Sequence, residues 1–363
     1  FIMLHYIQHG GLMNLRKEQF VNLHGHSCFS LFDGFGFPQE HMDFAYENGS
    51  RALALTDHGS MNGLSYQLLR AKEMKAEGKD FKPIFGVEAY YIDSLEEWQT
   101  LRNEIAADKK RAKEIDKSDS AMVVEDEQRN DKRALGRKRH IVLLAQNQKG
   151  LENIYEMVSK SYSGDYFYRK PRIDWELLKK HQEGVIVATA CLGGIAAGSM
   201  WKHQEDGEEA IVEDMIGNLT KFRDVFGDRF YAELQWNNIP EQHLLNRCLI
   251  KVAKQLDIRL ISTCDSHYPT PDAWKDREVY KRLGWLGKMP EWMDDNIPES
   301  VEEIGYELYP KNAQEMYESY RRYSNDLDLT YDDDLVAESI TNTAHIAFEQ
   351  IEDFLPDTSV QLP

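Results

Sequence analysis

The run RALALTDHG (residues 51–59) joins a short apolar segment to a polar end and a turn, and this unit recurs along the chain. Helix-like stretches such as PQEHMDFAYENG and GLENIYEMVSKSYS separate the repeats. Short buried strands that alternate with helices predict a parallel sheet, and seven such units favour a β/α barrel over an open doubly wound sheet. The other six runs are FVNLHGHS (20–27), KPIFGVEAYYI (82–92), HIVLLAQN (140–147), GVIVATAC (184–191), FYAELQ (230–235) and RLISTCDSHY (259–268).

The composition is that of a globular protein without a membrane anchor. The chain has 363 residues, of which 42% are hydrophobic and 29% are charged, and these values are ordinary for soluble domains. No run of 18 apolar residues occurs, which excludes a membrane span at the level of sequence. The four cysteines form no C-x-x-C motif, so we expect a protein of the reducing cytoplasm.

The net charge of −19 is concentrated in the C-terminal part of the chain. Residues 291–363 hold 19 acidic against 3 basic residues, so this segment carries −16 and the rest of the chain only −3. Because the body of the protein is nearly neutral, the overall charge does not argue against a nucleic-acid partner. We interpret the acidic segment as a solvated helical region.

Breaks in the strand–helix pattern suggest the domain organisation. Residues 1–19 lack the features of a signal peptide and are interpreted as a leader. Residues 96–139 carry 12 basic and 11 acidic residues; we predict an insertion on one barrel face, an exposed helix followed by a mobile loop from about Lys117. After Tyr268 the pattern turns helical, so residues 20–270 are assigned to the barrel and residues 271–363 to a mainly helical acidic extension.

Residues that bind metals well stand at the ends of the apolar runs. The carboxyl ends of barrel strands meet at one mouth, where active sites of this architecture lie. Imidazole and carboxylate groups suit Zn, Mn or Fe better than Mg or Ca, and roughly nine ligands exceed the needs of one ion, so we predict two or three divalent metals. These residues are His24, His26, Asp33, Asp57, His58, Glu88, Cys191, Asp265 and His267, with His140 at the start of the fourth run.

Several motifs together resemble the PHP (polymerase and histidinol phosphatase) domain. They are HGHSCFSLFDG, ALTDHGSMNG, FGVEAYY, ATACLGG and STCDSHY. The likeness is strongest to the PHP domain that opens the alpha subunits of bacterial C-family replicative DNA polymerases, and it runs from Phe20 to Tyr268. The ending FEQIEDFLPDTSVQLP also resembles the segment that leads toward a polymerase palm. The resemblance implies a distorted (β/α)7 barrel.

The resemblance also implies a ligand set for three metals. By motif, this set falls on His24, His26, Asp33, His58, Glu88, His140, Cys191, Asp265 and His267. Asp57 is expected to orient the imidazole of the neighbouring His58, and Glu233 to support the ligands from behind. Two alternatives stay open, namely a structural role for His140 at a strand start and a core position for Cys191. The histidines outside the motifs are interpreted as surface residues: His41, His181, His203, His243 and His345.

The function implied by the resemblance is that of a metal-dependent phosphoesterase, in this setting a 3′→5′ exonuclease that trims mismatched primer ends. The expected partners are a DNA primer 3′ end, a polymerase palm, and a proofreading or clamp subunit. Two alternatives are a non-catalytic, metal-stabilised scaffold of the replicative polymerase and a small-molecule phosphatase of the histidinol phosphatase type. No strand-borne pair of carboxylates follows Tyr268, so we expect no polymerase active site in this chain.

Overall fold

The computed structural model describes residues 8–9, 12–13, 15–115, 130–285 and 296–358 of the chain. The strands are, in chain order, β1 (Gln8–His9), β2 (Leu12–Met13), β3 (Ala52–Leu55), β4 (Lys82–Ile92), β5 (Arg139–Ala145), β6 (Phe167–Tyr168), β7 (Lys170–Asp174), β8 (Val185–Ala188), β9 (Phe230–Gln235) and β10 (Arg259–Thr263).

Helices follow most of the strands and cover the outside of the sheet. Among the described helices, none combines the length and the apolar character needed to cross a membrane. The α-helices are α1 (Pro38–Glu47), α2 (Leu64–Ala76), α3 (Leu95–Ile115), α4 (Gln148–Ser161), α5 (Trp175–Lys180), α6 (Ala197–His203), α7 (Glu208–Phe226), α8 (Pro240–Leu256), α9 (Trp274–Leu283), α10 (Val301–Ile304), α11 (Ala313–Asp326) and α12 (Asp333–His345), and residues 130–135 are also helical.

The sheet closes into a distorted barrel of seven segments. β4 pairs in parallel with β3 along its first half and antiparallel with β5 along its second half. β5 pairs with β8, and β8, β9 and β10 follow in parallel order. The segment around residues 22–25 completes the ring through bridges from Asn22 to Leu53 and from Gly25 to Ser266. The predicted distorted (β/α)7 barrel is therefore confirmed.

One strand, β5, runs against both of its neighbours, which differs from the parallel sheet that the alternating pattern predicts. The reason lies in the connection before it. The chain leaves the carboxyl end of β4, forms α3 and the helical residues 130–135, and re-enters the barrel from the same end. As a result, the first residues of β5 lie at the end of the barrel where the other strands finish, which we call the mouth.

The segment between β4 and β5 adds a small apolar cluster of its own. Trp98 on α3 packs with Ile92 and Leu135, and its indole nitrogen donates to the Leu135 carbonyl at 2.9 Å. The predicted exposed helix is present, but the prediction of a mobile loop was wrong for residues 130–135, which are helical and contribute Leu135 to this cluster. Residues 116–129 lie outside the described residues, so for them the loop stays a prediction.

The C-terminal extension packs into the barrel at the end opposite the mouth. Ile346 and Ile351 are buried in one cluster with inward-facing barrel residues such as Leu23 and Ile84. Truncating a buried isoleucine of this kind to alanine typically costs about 2–5 kcal/mol. The boundary near residue 270 stays a prediction, but the residues on its two sides share one core.

Polar contacts join α12 to the strands. The Asn342 side chain donates to the Leu260 carbonyl at 2.9 Å, and the Thr343 hydroxyl accepts from the Val21 backbone at 3.0 Å. The acidic run at residues 332–334 begins this helix: Asp332 accepts from the backbone of Asp334 and Leu335 as its N-cap. Among the described residues after Tyr268, the chain forms helices and turns and no strand.

Candidate metal centre

The polar residues that end the strands meet at the mouth of the barrel. His24 and His26 flank Gly25, which bridges Ser266 beyond the end of β10, and His58 follows β3 and bridges Glu88 of β4. Asp265 and His267 follow β10, and Cys191 follows β8. Because β5 is antiparallel, His140 near its start faces the same space, where it contacts Glu88. The structure thus brings together all nine ligand positions implied by the resemblance.

The most buried group of ligand atoms comprises His24, His26, Glu88 and Asp265, whose atoms lie within 4.8 Å of one another. The Nε2 atoms of His24 and His26 lie 3.1 Å and 2.8 Å from Glu88 Oε2. The same two nitrogens lie 3.2 Å and 3.3 Å from Asp265 Oδ1. Two imidazoles and two carboxylates converging on one point form a suitable donor set for a transition metal.

Two further groups share residues with the first. His58, Glu88 and His140 form one of them, and His26, His58 and His267 form the other. Glu88 belongs to two groups, with Oε2 3.2 Å from His58 Nδ1 and Oε1 in close contact with His140 Nδ1. A carboxylate placed in this way can bridge neighbouring ions.

Asp33 and Cys191 lie at the edges of these groups. Asp33 Oδ2 is 3.2 Å from His58 Nε2 and 3.6 Å from His267 Nε2. Cys191 Sγ is 3.8 Å from His140 Nδ1. Burial, together with the charges of Asp265 and Glu88, raises the pKa of the Cys191 thiol well above its usual value. Without a cation beside it, the thiol therefore stays protonated.

Hydrogen bonds behind the ligands fix the tautomers of two histidines. His24 Nδ1 lies 2.6 Å from Glu233 Oε1, which can only accept as a carboxylate, so this nitrogen carries the proton. The Ser30 hydroxyl donates to Asp57 at 2.7 Å and lies 2.9 Å from His26 Nδ1. In the neutral form of each ring, Nε2 would be left with a lone pair that points toward Glu88 and Asp265, as a metal ligand requires.

Asp57 acts on a different imidazole from the one expected. Its carboxylate accepts from the Ser27 backbone at 2.7 Å and from the Ser30 hydroxyl, and no hydrogen bond to the ring of His58 is seen among the described residues. Ser30 also accepts from the His58 backbone at 3.0 Å. Asp57 therefore orients His26 through Ser30.

The charges of the ligands shift one another's protonation. Burial lowers the pKa of His58, but Glu88 and Asp33 outweigh it and raise this pKa to about 10. Burial likewise acts to lower the pKa of His24, while Asp265, Glu233 and Glu88 raise it well above its usual value. Burial would raise the pKa of Glu88, yet the imidazoles of His140, His58 and His24 hold it well below normal. Protonated imidazoles therefore balance the charge of the carboxylates when no metal is bound, and metal ions can replace these protons.

Several buried polar atoms at the mouth lack a hydrogen bond in the described part of the chain. They are His58 Nδ1, Glu88 Oε1 and Asp265 Oδ1. Each of the three lies beside another ligand atom, but a buried polar atom that lacks a well-oriented hydrogen bond is still costly. All three face other ligand atoms, and divalent cations would satisfy them together. The residues present therefore fit a metal cluster.

One residue of the centre comes from the extension and was missed in the sequence. Arg277 on α9 is 5% exposed and donates to Asp33 Oδ1 at 2.6 Å and to the Asp33 carbonyl at 2.9 Å. The arginine stands in the helical stretch WKDREVYKRL with no motif around it, so no sequence signal pointed to it.

Two histidines expected on the surface are buried. His41 is buried beside the mouth with Nε2 2.9 Å from the Phe35 carbonyl, and burial lowers its pKa to about 4. His243 on α8 lies 2.8 Å from both the Asn237 carbonyl and the Tyr331 hydroxyl. The surface prediction was wrong for both because each lies on the inner face of a helix. His181, His203 and His345 are partly exposed.

Comparison with known proteins identifies the family of this barrel. The sequence profile of the PHP domain matches residues 22–237. The DNA polymerase III subunit alpha of Aquifex aeolicus is 37% identical over 290 residues, which are 80% of this chain and 22% of that protein. The protein of the same name from Borreliella burgdorferi is 30% identical over 339 residues, 93% of this chain and 24% of that protein. The chain thus spans about a quarter of the length of these relatives or less.

Proposed function

The chain belongs to the PHP domain family, and on that premise we propose that it is a metal-dependent phosphodiesterase that removes nucleotides from the 3′ end of DNA. The observation that carries this proposal is the position of Glu88. Its two oxygens contact four imidazoles, those of His24, His26, His58 and His140. This is the arrangement expected of a carboxylate shared by adjacent metal sites.

The ligand residues form groups that would bind two or three metal ions. His24, His26, Glu88 and Asp265 would hold one, and His58, Glu88 and His140 a second with Cys191 at its edge. Asp33 and the histidines near it would hold a third, and Zn, Mn or Fe suits these donors. Adjacent divalent ions supply an activated water and stabilise the leaving oxygen of a phosphoryl displacement.

The protein's own groups prepare this chemistry. Glu233 and Ser30 contact the Nδ1 atoms of His24 and His26, which leaves Nε2 of each ring aimed at the mouth as the atom that would bind a metal ion. Burial of these ligands excludes bulk water from the back of the site and strengthens their interaction with charge. The bound metals would supply the attacking water, so the chain would not need a serine, cysteine or lysine nucleophile.

The choice of DNA as substrate rests on the relatives. Two proteins named DNA polymerase III subunit alpha match this chain over most of its length. A PHP barrel beside a polymerase would meet primer 3′ ends, so proofreading hydrolysis is the activity that fits best. A polymerase palm and a proofreading or clamp subunit are the partners that we propose with it.

A second function, a metal-stabilised scaffold, has one specific observation in its favour. Arg277 of the extension holds Asp33 from two sides, so the metal centre also fastens the extension to the barrel. A centre used only for that purpose needs no access to substrate. His58 and His140, however, keep 15% and 23% of their side chains exposed, and these are the ligands that a substrate would reach.

Substrate choice with the purified chain separates these functions. The substrates are a primer–template with a mismatched 3′ end, p-nitrophenyl phosphate and histidinol phosphate, each with Mn²⁺, Zn²⁺ or Fe²⁺ and with EDTA. We expect metal-dependent release of nucleotides from the primer and little release of phosphate from the other two. Preferential hydrolysis of histidinol phosphate would replace the proposal with a small-molecule phosphatase, and no hydrolysis at all would leave the scaffold.

A further inference from the structure

A pair of lysines stands just outside the ligands at the mouth, around the ring of Tyr90. Tyr90 follows Glu88 by two residues on β4, so it points to the same side of the strand about 7 Å further out. Its ring centroid lies 5.4 Å from that of His140 and 6.0 Å from that of His58. The tyrosine is 5% exposed, and it forms the wall between the metal ligands and the rim.

Both lysines are placed by strands that pair with β4. Lys138 precedes His140 by two residues, and His140 is the partner of Tyr90 in the register of β4 and β5. Lys170 begins β7, whose Arg172 is also paired with Tyr90. The ammonium groups of Lys138 and Lys170 lie over the Tyr90 ring, 5.2 Å and 5.4 Å from its centroid.

This pair of positive charges lacks a counterion in the part of the chain that the structure describes. No carboxylate there forms an ion pair with either ammonium group, whereas Lys221 pairs with Asp93 and Lys251 with Glu208. An anion bound between the two would balance their charge.

We propose that Lys138 and Lys170 bind a second phosphate of the substrate, the one next to the phosphodiester that is cleaved. This inference rests on the proposed function and makes it more specific, because it selects a polynucleotide over a substrate with one phosphate. Lysine binds phosphate as a point charge, and two lysines on strand ends next to the ligands would fix where the 3′-terminal nucleotide sits. Tyr90 holds both ammonium groups in place through its ring face.

The test uses the double variant Lys138→Gln/Lys170→Gln of the purified chain. Its matched control is Lys149→Gln/Lys254→Gln, which removes the same charge from two exposed lysines on α4 and α8, near the barrel end opposite the mouth. Binding of a fluorescently labelled dT oligonucleotide is measured by anisotropy in EDTA over a range of salt concentrations. Hydrolysis of the same oligonucleotide and of bis(p-nitrophenyl) phosphate is then measured with Mn²⁺.

We expect the double variant to bind the oligonucleotide about tenfold more weakly, and the slope of log K against log salt to fall by about 0.7 for each phosphate that the lysines no longer neutralise. Its loss of kcat/KM should be at least fivefold larger for the oligonucleotide than for the single-phosphate ester, with metal content unchanged. The control should bind like the wild type.

Equal binding by the double variant and the control would overturn the inference, and so would a wild type that binds no DNA in EDTA at low salt. If only the proposed function is wrong, the protein would hydrolyse neither substrate but would still bind the oligonucleotide in a way that depends on Lys138 and Lys170.

Discussion

Arg277 donates two hydrogen bonds to Asp33, one to the side-chain Oδ1 at 2.6 Å and one to the backbone carbonyl at 2.9 Å. The arginine belongs to the extension and the aspartate to the loop that carries the first motif. Because 39% of the Asp33 side chain is exposed, its position beside His58 and His267 depends on these two hydrogen bonds. The extension is therefore part of the metal centre.

Replacing Arg277 with lysine should weaken the binding of a metal ion next to Asp33. Lysine keeps the charge but cannot make both hydrogen bonds in one fork, and loss of an orienting partner typically lowers metal affinity 10–100-fold. Titration of the metal-free protein with Mn²⁺ or Zn²⁺ would show one weakened site while the others persist. Lys281→Gln on the same helix, which contacts Glu278 and not Asp33, is the control. Identical titrations for R277K and the wild type would contradict this assignment.

Exchange of Glu233 for glutamine tests the tautomer of His24. The amide can present its NH₂ group to His24 Nδ1, which would shift the ring proton to Nε2 and block that ligand atom. We expect a loss of about 10–100-fold in affinity for the most buried ion, measured by competition with a chelating dye. Gln182→Glu, on the outer surface at Arg229, is the corresponding control. Unchanged affinity in E233Q would mean that Glu233 has only a packing role.

Metal removal should lower the thermal stability of the chain. A ligand at a hundred times its Kd contributes about 2.7 kcal/mol to folding. The buried Glu88 Oε1 and Asp265 Oδ1 form no hydrogen bond with other described residues, so bound ions would be their partners. We expect the Tm to fall by at least about 5 °C in EDTA and to recover when Mn²⁺ or Zn²⁺ is added back. A Tm that does not respond to chelator, in protein shown to contain metal beforehand, would argue against a buried cluster.

The metal-free protein should lose stability as the pH rises above neutral. The pKa of His58 is raised to about 10 in the folded protein, so its contribution is complete below the unfolded value of about 6.5 and disappears between pH 6.5 and 10. The Tm of the metal-free wild type should therefore approach that of metal-free His58→Asn over this range. A constant difference between the two from pH 6 to 10 would show that His58 is neutral throughout.

The barrel and the gathering of ligands could be predicted from the sequence because both depend on local patterns. Each apolar run ends in its own polar residues, and parallel strands bring those ends together. His140 was harder to interpret because it begins a strand. His140 lies at the mouth only because β5 runs antiparallel to its neighbours, and that direction follows from the inserted segment with α3 that precedes β5.

Other features depend on contacts between distant parts of the chain. Arg277 and Asp33 are 244 residues apart, and nothing near either residue signals the pairing. The burial of His41 and His243 likewise depends on which face of α1 and of α8 meets the barrel. Tyr90 lies in β4, Lys170 begins β7 and Lys138 directly precedes β5, so the three form a group only through the register of these strands.

The proposed hydrolysis of DNA 3′ ends at the candidate metal centre is tested most directly by shortening of a 5′-labelled primer with a mismatched 3′ end. The purified wild type, His24→Ala, His58→Asn and Asp265→Asn are compared with Mn²⁺, Zn²⁺ or Fe²⁺ present, and His181→Gln serves as the control. We expect the wild type and the control to shorten the primer from its 3′ end, and each ligand variant to be slower by about a hundredfold or more. A metal-loaded wild type that leaves the primer intact, or ligand variants that cleave it at the wild-type rate, would contradict the account.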